Sequence, residues 1–309
     1  MIAADQLIAR AVPKGWKIRL EDPVSRYFRY PIARLIVKAL MKTPVTPNQV
    51  TMAQPLLAAL AGYLITFNEP KYLIGAAVAF EVRSILDCVD GTLARAKQMT
   101  SASGHAIDAF ADWLGVVFLY LGIFWHFHLH PPPPNPWTTY LSTNGVLILV
   151  LFQAATRSFA ADYYKLKYCS IFESGRDETV ESLRKKVLAL GPKSSMFAKF
   201  DVFIGRMGHL SFEHEWFDPR RSQSSTGDDE VEALRRDEGS PLGKAIGFLW
   251  SISNGDAFLT MVVLSAVLNQ LWAAQLFFAT AGLVWIYGVI FLNGWFVRSA
   301  KRRAGLATA

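Results

Sequence analysis

The sequence predicts an all-α, polytopic membrane protein with six transmembrane helices and an N-terminal amphipathic interfacial helix. The chain has 309 residues, 52% of them hydrophobic, including 21 Phe and 9 Trp, which is too apolar for an ordinary soluble domain. The apolar residues are grouped in runs of about 20, the length that crosses a bilayer. The net charge of +7 is modest, and we attribute it to cytoplasmic loops and expect no nucleic-acid partner.

Four segments follow one another along the chain. They are 1–48, 49–165, 166–243 and 244–309. The first is basic and amphipathic, and we expect a helix from about Pro23 to Met41 with apolar side chains towards lipid and basic ones in the phosphate layer. The second segment holds spans one to four, the third is a polar insert, and the fourth holds spans five and six with a basic tail. Packing of the first helix on protein is the alternative to a membrane location.

The six spans are predicted from apolar runs bounded by turns. They cover about 50–67, 72–96, 104–127, 138–161, 245–268 and 272–297. In the insert, the spacing of apolar residues predicts two amphipathic helices, at about 179–190 and 192–207. Residues 220–240 are rich in Ser, Gly, Asp and Glu, so a mobile loop is expected there.

Charge fixes the predicted orientation. An even number of spans places both termini and the polar insert on one side of the membrane, together with the ends of spans two and four. That side carries nearly all of the Lys and Arg, so the positive-inside rule makes it cytoplasmic. The expected location is a cell inner membrane or its equivalent.

Four carboxylates lie where span two ends and span three begins. They are Asp87, Asp90, Asp108 and Asp112. The first two are three residues apart and the last two are four apart, so each pair shares one helix face. Carboxylates beside a membrane core are costly and usually functional, and hard divalent cations with oxygen ligands are their natural counter-charge.

Small residues and one arginine accompany these carboxylates. Gly91, Ala94 and Gly104 allow close approach to the backbone, and Arg95 offers a planar guanidinium suited to phosphate. The residues alone therefore indicate a metal–phosphate site at the membrane surface.

The spacing from Asp87 to Asp112 is D-x2-D-G-x2-A-R-x8-G-x3-D-x3-D. It resembles the signature of the CDP-alcohol phosphatidyltransferase family at every fixed position. The start of span one, Thr46-Pro47-Asn48-Gln49-Val50-Thr51, also resembles the family, and Thr46 and Pro47 suit a helix N-terminus. The resemblance extends from about residue 22 through span four. It implies a membrane enzyme of phospholipid synthesis, usually homodimeric, that transfers a phospho-group from a CDP-linked donor to an alcohol and releases CMP.

The resemblance also implies roles for individual residues. Asp87, Asp90, Asp108 and Asp112 would hold Mg²⁺ or Mn²⁺, two ions per site, and Asp112 would also be the general base on the acceptor hydroxyl. The implied CDP-binding set is Asn48, Thr51, Asp90, Gly91, Ala94, Arg95, Gly104 and Asp108. By position alone, Arg157 and Lys165 are candidates for an acceptor pocket, or else helix-end cations that meet lipid phosphate.

Two assignments of the substrates are open. In the first, the donor is CDP-diacylglycerol or a related CDP-lipid and the acceptor is a small polar alcohol. Nearby cations favour a polyol or polyol phosphate there: inositol, inositol phosphate or glycerol phosphate. In the second, a CDP-linked small alcohol is transferred to a lipid hydroxyl.

Two classes outside the family compete with an enzyme. A membrane cation transporter would place its carboxylates at mid-span, and here they lie at helix ends. A non-catalytic lipid-binding protein would be expected to lack at least one motif residue, and the motif is complete.

The orientation is testable with topology reporters. A reporter fused after Ala309 and one inserted within 220–240 should both report the cytoplasmic side, and one near Pro133 should report the opposite side. The reason is that two predicted spans, five and six, separate the first two positions, whereas a single span, span four, separates Pro133 from 220–240. A split between the first two reporters would contradict the predicted span count.

Overall fold

The structure, a computed structural model of the chain, describes residues 4–134, 136, 140–224 and 226–306. Every regular element in these ranges is a helix, which confirms the all-α class. The α-helices are α1 (Ala4–Ala11), α2 (Gly15–Arg19), α3 (Tyr30–Leu40), α4 (Pro47–Ile65), α5 (Pro70–Ala96), α6 (Ala102–Leu129), α7 (Thr143–Cys169), α8 (Thr179–Leu188), α9 (Met196–Glu213), α10 (Asp228–Asp237), α11 (Pro241–Ile252), α12 (Gly255–Val267), α13 (Leu271–Phe277) and α14 (Leu283–Arg303). Single π-helical turns cover Ser25–Arg29, Ser170–Ser174 and Phe278–Gly282.

Three helical segments of the described chain are long and apolar enough to cross a membrane. They are Ala102–Leu129, Thr143–Ser174 and Leu271–Arg303. The pair α11 and α12, bent by 50°, would make a fourth if it forms one span. These segments correspond to predicted spans three, four, six and five. The helices therefore support an integral membrane protein with three to four candidate spans.

Predicted spans one and two are observed as α4 and α5, which are not among these candidates. Helix α5 is not among the candidates because its second half is charged: it carries Glu81, Arg83, Asp87, Asp90 and Arg95. The total of six spans therefore stays a prediction.

The predicted amphipathic helix at 23–41 is observed as a π-helical turn followed by α3. Tyr27 and Leu35 are exposed on it, but Arg29 is buried. The Arg29 guanidinium donates to both carboxylate oxygens of Glu81, at 2.7 Å each, and to Thr260 Oγ1 at 2.7 Å. Arg29 therefore forms an internal ion pair, in contrast to its predicted place in the lipid phosphate layer. The interfacial location of the helix is still a prediction.

The insert contains more helix than the sequence predicted. The two expected helices are present as α8 and α9. The expected mobile loop at 220–240 is contradicted over Asp228–Asp237, where α10 forms. Val231 and Leu234 of α10 are buried against the same core as Trp250 and Phe296. Burial of two apolar residues three apart therefore stabilises a helix that the polar composition concealed.

Contacts within the chain define two compact units. The first comprises Met1–Pro13, Pro23–Gln153 and Asp256–Gly282. The second comprises Lys14–Asp22, Ala154–Gly255 and Leu283–Ala309.

In the first unit, α4 packs along both α5 and α6. The crossing of α4 and α6 is close because both helices carry glycine there: a Cβ on Gly122 would overlap the carbonyl of Gly62, and a Cβ on Gly62 would overlap that of Phe118. Small residues let membrane helices approach in this way. At the start of α4, Thr46 and Gln49 form a capping box and Pro47 follows the cap, which confirms the predicted helix start.

The second unit has an aromatic core. Trp16 stacks on Phe172, with ring centroids 4.4 Å apart, and Tyr164 stacks on Trp250 at 4.7 Å. The Trp250 indole donates to Asn293 Oδ1 at 2.9 Å, so this polar atom inside the core is paired. Buried polar groups need such partners.

Asp177 is a second paired polar residue of this unit. Its buried carboxylate lies 3.5 Å from the Lys167 ammonium and accepts hydrogen bonds from Thr179 and Ser224. Burial acts to raise the pKa of Asp177, but Lys167 and the hydrogen bonds outweigh it, so the pKa is lowered. Asp177 therefore stays ionised and fixes the chain before α8.

Candidate functional site

The two halves of the acidic motif lie at the adjoining ends of α5 and α6. A turn joins the helices, and Ser101 caps α6 by accepting a hydrogen bond from Gly104 N at 3.0 Å. On the other side of the turn, the Lys97 ammonium donates to the carbonyls of Thr43 and Val45, at 2.8 Å each. Lys97 thereby ties this turn to the segment that leads into α4.

Asp87, Asp90 and Asp108 form the centre of the site. Each offers a carboxylate oxygen, and these three oxygens lie within 4.8 Å of one another. Asp87 and Asp90 reach the cluster from α5, and Asp108 reaches it from α6. The cluster is thus built across the helix pair, as the spacing of the motif predicted.

Two side chains of α4 fix Asp90. The Thr51 hydroxyl donates to Asp90 Oδ2 at 2.5 Å, and the Gln54 amide donates to the same oxygen at 2.7 Å. All three residues are buried. Hydrogen bonds to a carboxylate favour its charged form and hold its orientation, as partners of metal ligands commonly do.

Asp112 is held separately. Its Oδ1 accepts a hydrogen bond from Arg83 Nη2, and the Arg83 side chain is 2% exposed whereas that of Asp112 is 46% exposed. Arg83 lies on α5, four residues before Asp87, and Asp112 lies on α6. Three of the four predicted ligands are therefore brought together, and the fourth is paired with a buried guanidinium. A ligand role for Asp112 stays a prediction.

The site carries an excess of negative charge. Arg83 interacts electrostatically with Asp87, Asp108, Asp112 and Asp256, and also with Asp90. One guanidinium cannot offset five carboxylates, of which Asp90 is buried and the others are half-buried, and charges partly removed from water need compensation.

The donor set fits a hard divalent cation. All of the ligand atoms are carboxylate oxygens, and Asp108 Oδ1 is buried with no hydrogen-bond partner among the described residues. A buried charged oxygen without a partner is costly, and a cation in the cluster would satisfy it. The residues thus suit Mg²⁺ or Mn²⁺, as expected from the sequence.

Most of the predicted CDP-binding residues lie in this same region. Asn48 Oδ1 is 3.4 Å from the position that a Cβ on Gly104 would take, and Arg95 Nη1 is 3.5 Å from the equivalent position at Gly91. Arg95 Nε also donates to the carbonyl of Ala11. Thus Gly104 borders an amide and Gly91 borders a guanidinium. Ala94 is half-buried and lies on α5, three residues after Gly91.

The two candidate acceptor residues belong to the second unit. Arg157 is buried, and the Lys165 ammonium forms an ion pair with Glu21 at 2.9 Å. Their predicted role is untested by this arrangement.

Sequence reasoning missed three residues of the site: Gln54, Arg83 and Asp256. Helical spacing could have found two of them. Arg83 is four residues before Asp87 on one helix, and Gln54 is three residues after Thr51 on another, so each shares a face with a motif residue. Asp256 lies at the start of α12, far along the sequence, and carried no local signal.

The fold and site define a membrane-embedded helical protein with an acidic, metal-type centre at the end of a helix pair. Residues 44–172 match the family model described as CDP-alcohol phosphatidyltransferase. The chain therefore contains a CDP-alcohol phosphatidyltransferase domain, which confirms the resemblance drawn from the motif.

Three relatives illustrate the similarity. The ceramide phosphoethanolamine synthase of Drosophila melanogaster is 29% identical over 273 residues, covering 83% of this chain and 60% of the relative. The bifunctional IPC transferase and DIPP synthase of Rubrobacter xylanophilus is 35% identical over 109 residues, 35% of this chain and 24% of the relative. The protein of the same name from Thermococcus kodakarensis is 34% identical over 109 residues, which cover 35% of this chain and 23% of the relative.

The chain thus spans 60% of the length of the first relative and about a quarter of the others. The family description and the names of the relatives point to CDP-alcohol phosphotransferases.

The hydrogen bonds to Asp90 lead to a test by metal binding. Thr51→Val and Gln54→Leu each remove one donor from Asp90 Oδ2 at nearly constant volume. Each variant should bind Mn²⁺ about tenfold more weakly, as loss of a ligand's hydrogen-bond partner commonly does. The measurement is the free-Mn²⁺ signal in electron paramagnetic resonance of the purified protein.

The matched control is Thr66→Val at the exposed end of α4, where the hydroxyl donates to the Tyr63 carbonyl. It should bind Mn²⁺ as the wild type does. Wild-type affinity in both Thr51→Val and Gln54→Leu would contradict the assignment of Asp90 as a ligand.

Proposed function

We propose that this chain transfers a phosphorylated alcohol group from a CDP-linked donor to an acceptor hydroxyl and releases CMP. The observation that carries the proposal is the three-carboxylate cluster of Asp87, Asp90 and Asp108, formed by the motif inside the region that matches the family. A cluster of this composition is suited to cations that bind a diphosphate.

In this proposal Asp87, Asp90 and Asp108 hold Mg²⁺ or Mn²⁺, with Asp112 as a further ligand. The excess of carboxylates over Arg83 supports two ions per site. When bound, the ions would offset the charge of the diphosphate and polarise its phosphoryl oxygens. Thr51 and Gln54 orient Asp90 for this role.

Asp112 is the proposed general base. The acceptor oxygen attacks the phosphorus that bears the transferred alcohol, the bond from that phosphorus to the CMP oxygen breaks, and CMP leaves with the electron pair. The proton of the acceptor hydroxyl passes to an Asp112 carboxylate oxygen. The exposure of Asp112 supports this role, because an acceptor can reach it. A positioned base contributes about 10²–10⁴-fold to such a step.

The residues around the cluster would bind the cytidine diphosphate. Arg95 offers a charged donor to phosphate, and Gly91, Ala94 and Gly104 leave room for the donor to approach the backbone. Asn48 and Thr51 would complete the binding surface from the start of α4.

The name of one relative supports the second of the two substrate assignments. A ceramide phosphoethanolamine synthase aligns over 83% of this chain, and its name pairs a lipid with a phosphorylated small alcohol. We therefore propose a CDP-linked small alcohol as donor and a lipid hydroxyl as acceptor. Transfer from CDP-diacylglycerol to a polyol or polyol phosphate is the second candidate.

The proposal includes the membrane arrangement. Six spans, with α4 and α5 as the first two, place the site on the cytoplasmic face and both termini in the cytoplasm. A homodimer is proposed on the family resemblance, and an active monomer by mass measurement in native-like detergent would rule it out as a requirement.

The function is tested by incubating purified protein and Mg²⁺ with pairs of substrates and identifying products by mass spectrometry. CDP-ethanolamine with ceramide or diacylglycerol should give a phosphoethanolamine lipid and CMP. CDP-diacylglycerol with inositol, inositol phosphate or glycerol phosphate tests the second candidate. Asp87→Asn should abolish product formation, since it removes a ligand, whereas Glu69→Gln, at the exposed Glu69–Lys71 ion pair, should not change it.

Products from the second set alone would reverse the substrate assignment. An active wild type whose turnover is unaffected by excess chelator or by Asp87→Asn would contradict the metal-dependent mechanism. Absence of product from every pair would contradict the proposed function.

A further inference from the structure

We propose that Arg83 is a positioning residue, which holds the Asp112 carboxylate beside the three-carboxylate cluster in the orientation that receives the acceptor proton. The inference rests on the proposed function, in which Asp112 is the base. It adds a residue that lies outside the sequence motif.

The contact of Arg83 is selective. Three carboxylates converge at the cluster, yet the guanidinium donates to Asp112, which is outside it. A cation that served only to neutralise the cluster would be expected among Asp87, Asp90 and Asp108. Arg83 instead occupies one oxygen of the proposed base, and the exposed part of Asp112 is left for a substrate.

The guanidinium itself is fixed by its surroundings. Its carbon lies 5.6 Å from the centroid of the Phe80 ring on α5. On α6, a Cβ at Gly115 would be 3.3 Å from Arg83 Nε and 3.5 Å from Nη2, so only glycine leaves the guanidinium its full space. Gly115 is three residues after Asp112, and both therefore lie on the helix face that meets Arg83. A group held this way can keep its partner in one orientation.

A second buried arginine offers a matched comparison. Arg29 lies in the same unit and forms a two-point ion pair with Glu81, at 2.7 Å for each bond. It also donates to Ser25 and Thr260, and neither belongs to the acidic site. Arg29 is therefore a buried arginine whose ion pair with Glu81 lies outside the three-carboxylate cluster.

The experiment compares Arg83→Lys, Asp112→Asn, the double variant and Arg29→Lys, in full-length protein reconstituted in lipid. Three quantities are measured: kcat at saturating Mg²⁺ and substrates, Mn²⁺ affinity by electron paramagnetic resonance, and melting temperature. Lysine keeps the charge at residue 83 and loses the planar guanidinium.

Arg83→Lys should lower kcat by about 10²-fold, the typical cost of a misplaced catalytic group, and should lower Mn²⁺ affinity much less than kcat, because three of the four proposed ligands keep their positions. The double variant should be no slower than Asp112→Asn alone, since Arg83 acts through Asp112. Arg29→Lys should lower the melting temperature without changing the kcat of the folded protein. Wild-type kcat in Arg83→Lys, or additive losses in the double variant, would overturn the proposal.

If Arg83→Lys fails to fold, Gly115→Ala decides the question. It retains both charged groups and presses on the guanidinium, so kcat should fall by about tenfold with Mn²⁺ affinity retained. Wild-type kcat in Gly115→Ala would then overturn the positioning role. A wild type without any transfer activity would instead contradict the proposed function, which separates the two failures.

Discussion

The charge imbalance at the end of α5 and α6 is the constraint on which the site depends. Asp87, Asp90 and Asp108 converge within 4.8 Å, and buried Arg83 pairs with Asp112 and interacts electrostatically with the cluster. Charges removed from water at such short range are tolerated only with partners. The hydrogen bonds from Thr51 and Gln54 and the pairing of Arg83 with Asp112 supply part of that compensation. In the proposed function cations supply the remainder, and this is why a metal-dependent phosphotransfer is the function that the site supports best.

The helix packing of the first unit follows from the same constraint. Thr51 and Gln54 lie on α4 and donate to Asp90 on α5, so these two helices must lie close together. The glycines at the crossing of α4 and α6 permit a similarly close approach at the other end of α4. Glycine recurs at position 115, where it leaves space for Arg83. Small residues thus allow the helices to lie close together, and the buried donors of one helix then bind the carboxylates of the next.

Local sequence patterns predicted most of the helices, and the motif together with the short turn between α5 and α6 predicted the acidic cluster. Asp87 and Asp90 share a helix face by spacing alone, and Thr46 with Pro47 predicted the start of α4. Longer-range packing was less accessible. Helix α10 is stabilised by burying Val231 and Leu234, which its polar composition concealed. The role of Arg29 depends on Glu81, 52 residues away, and that of Arg83 on Asp112, 29 residues away. Tertiary structure determines partners at that separation. Local sequence patterns therefore assigned Arg29 to the lipid phosphate layer and did not identify Arg83.

Thermal unfolding in lipid nanodiscs, with chelator and then with Mg²⁺, tests the charge constraint most directly. A cation that binds only the folded state raises its stability by mass action. The account predicts that Mg²⁺ raises the melting temperature of the wild type and has a smaller effect on Asp108→Asn. In chelator, Asp108→Asn should melt no lower than the wild type, because it removes an uncompensated buried charge. A wild-type melting temperature that is the same in chelator and in saturating Mg²⁺ would contradict the account.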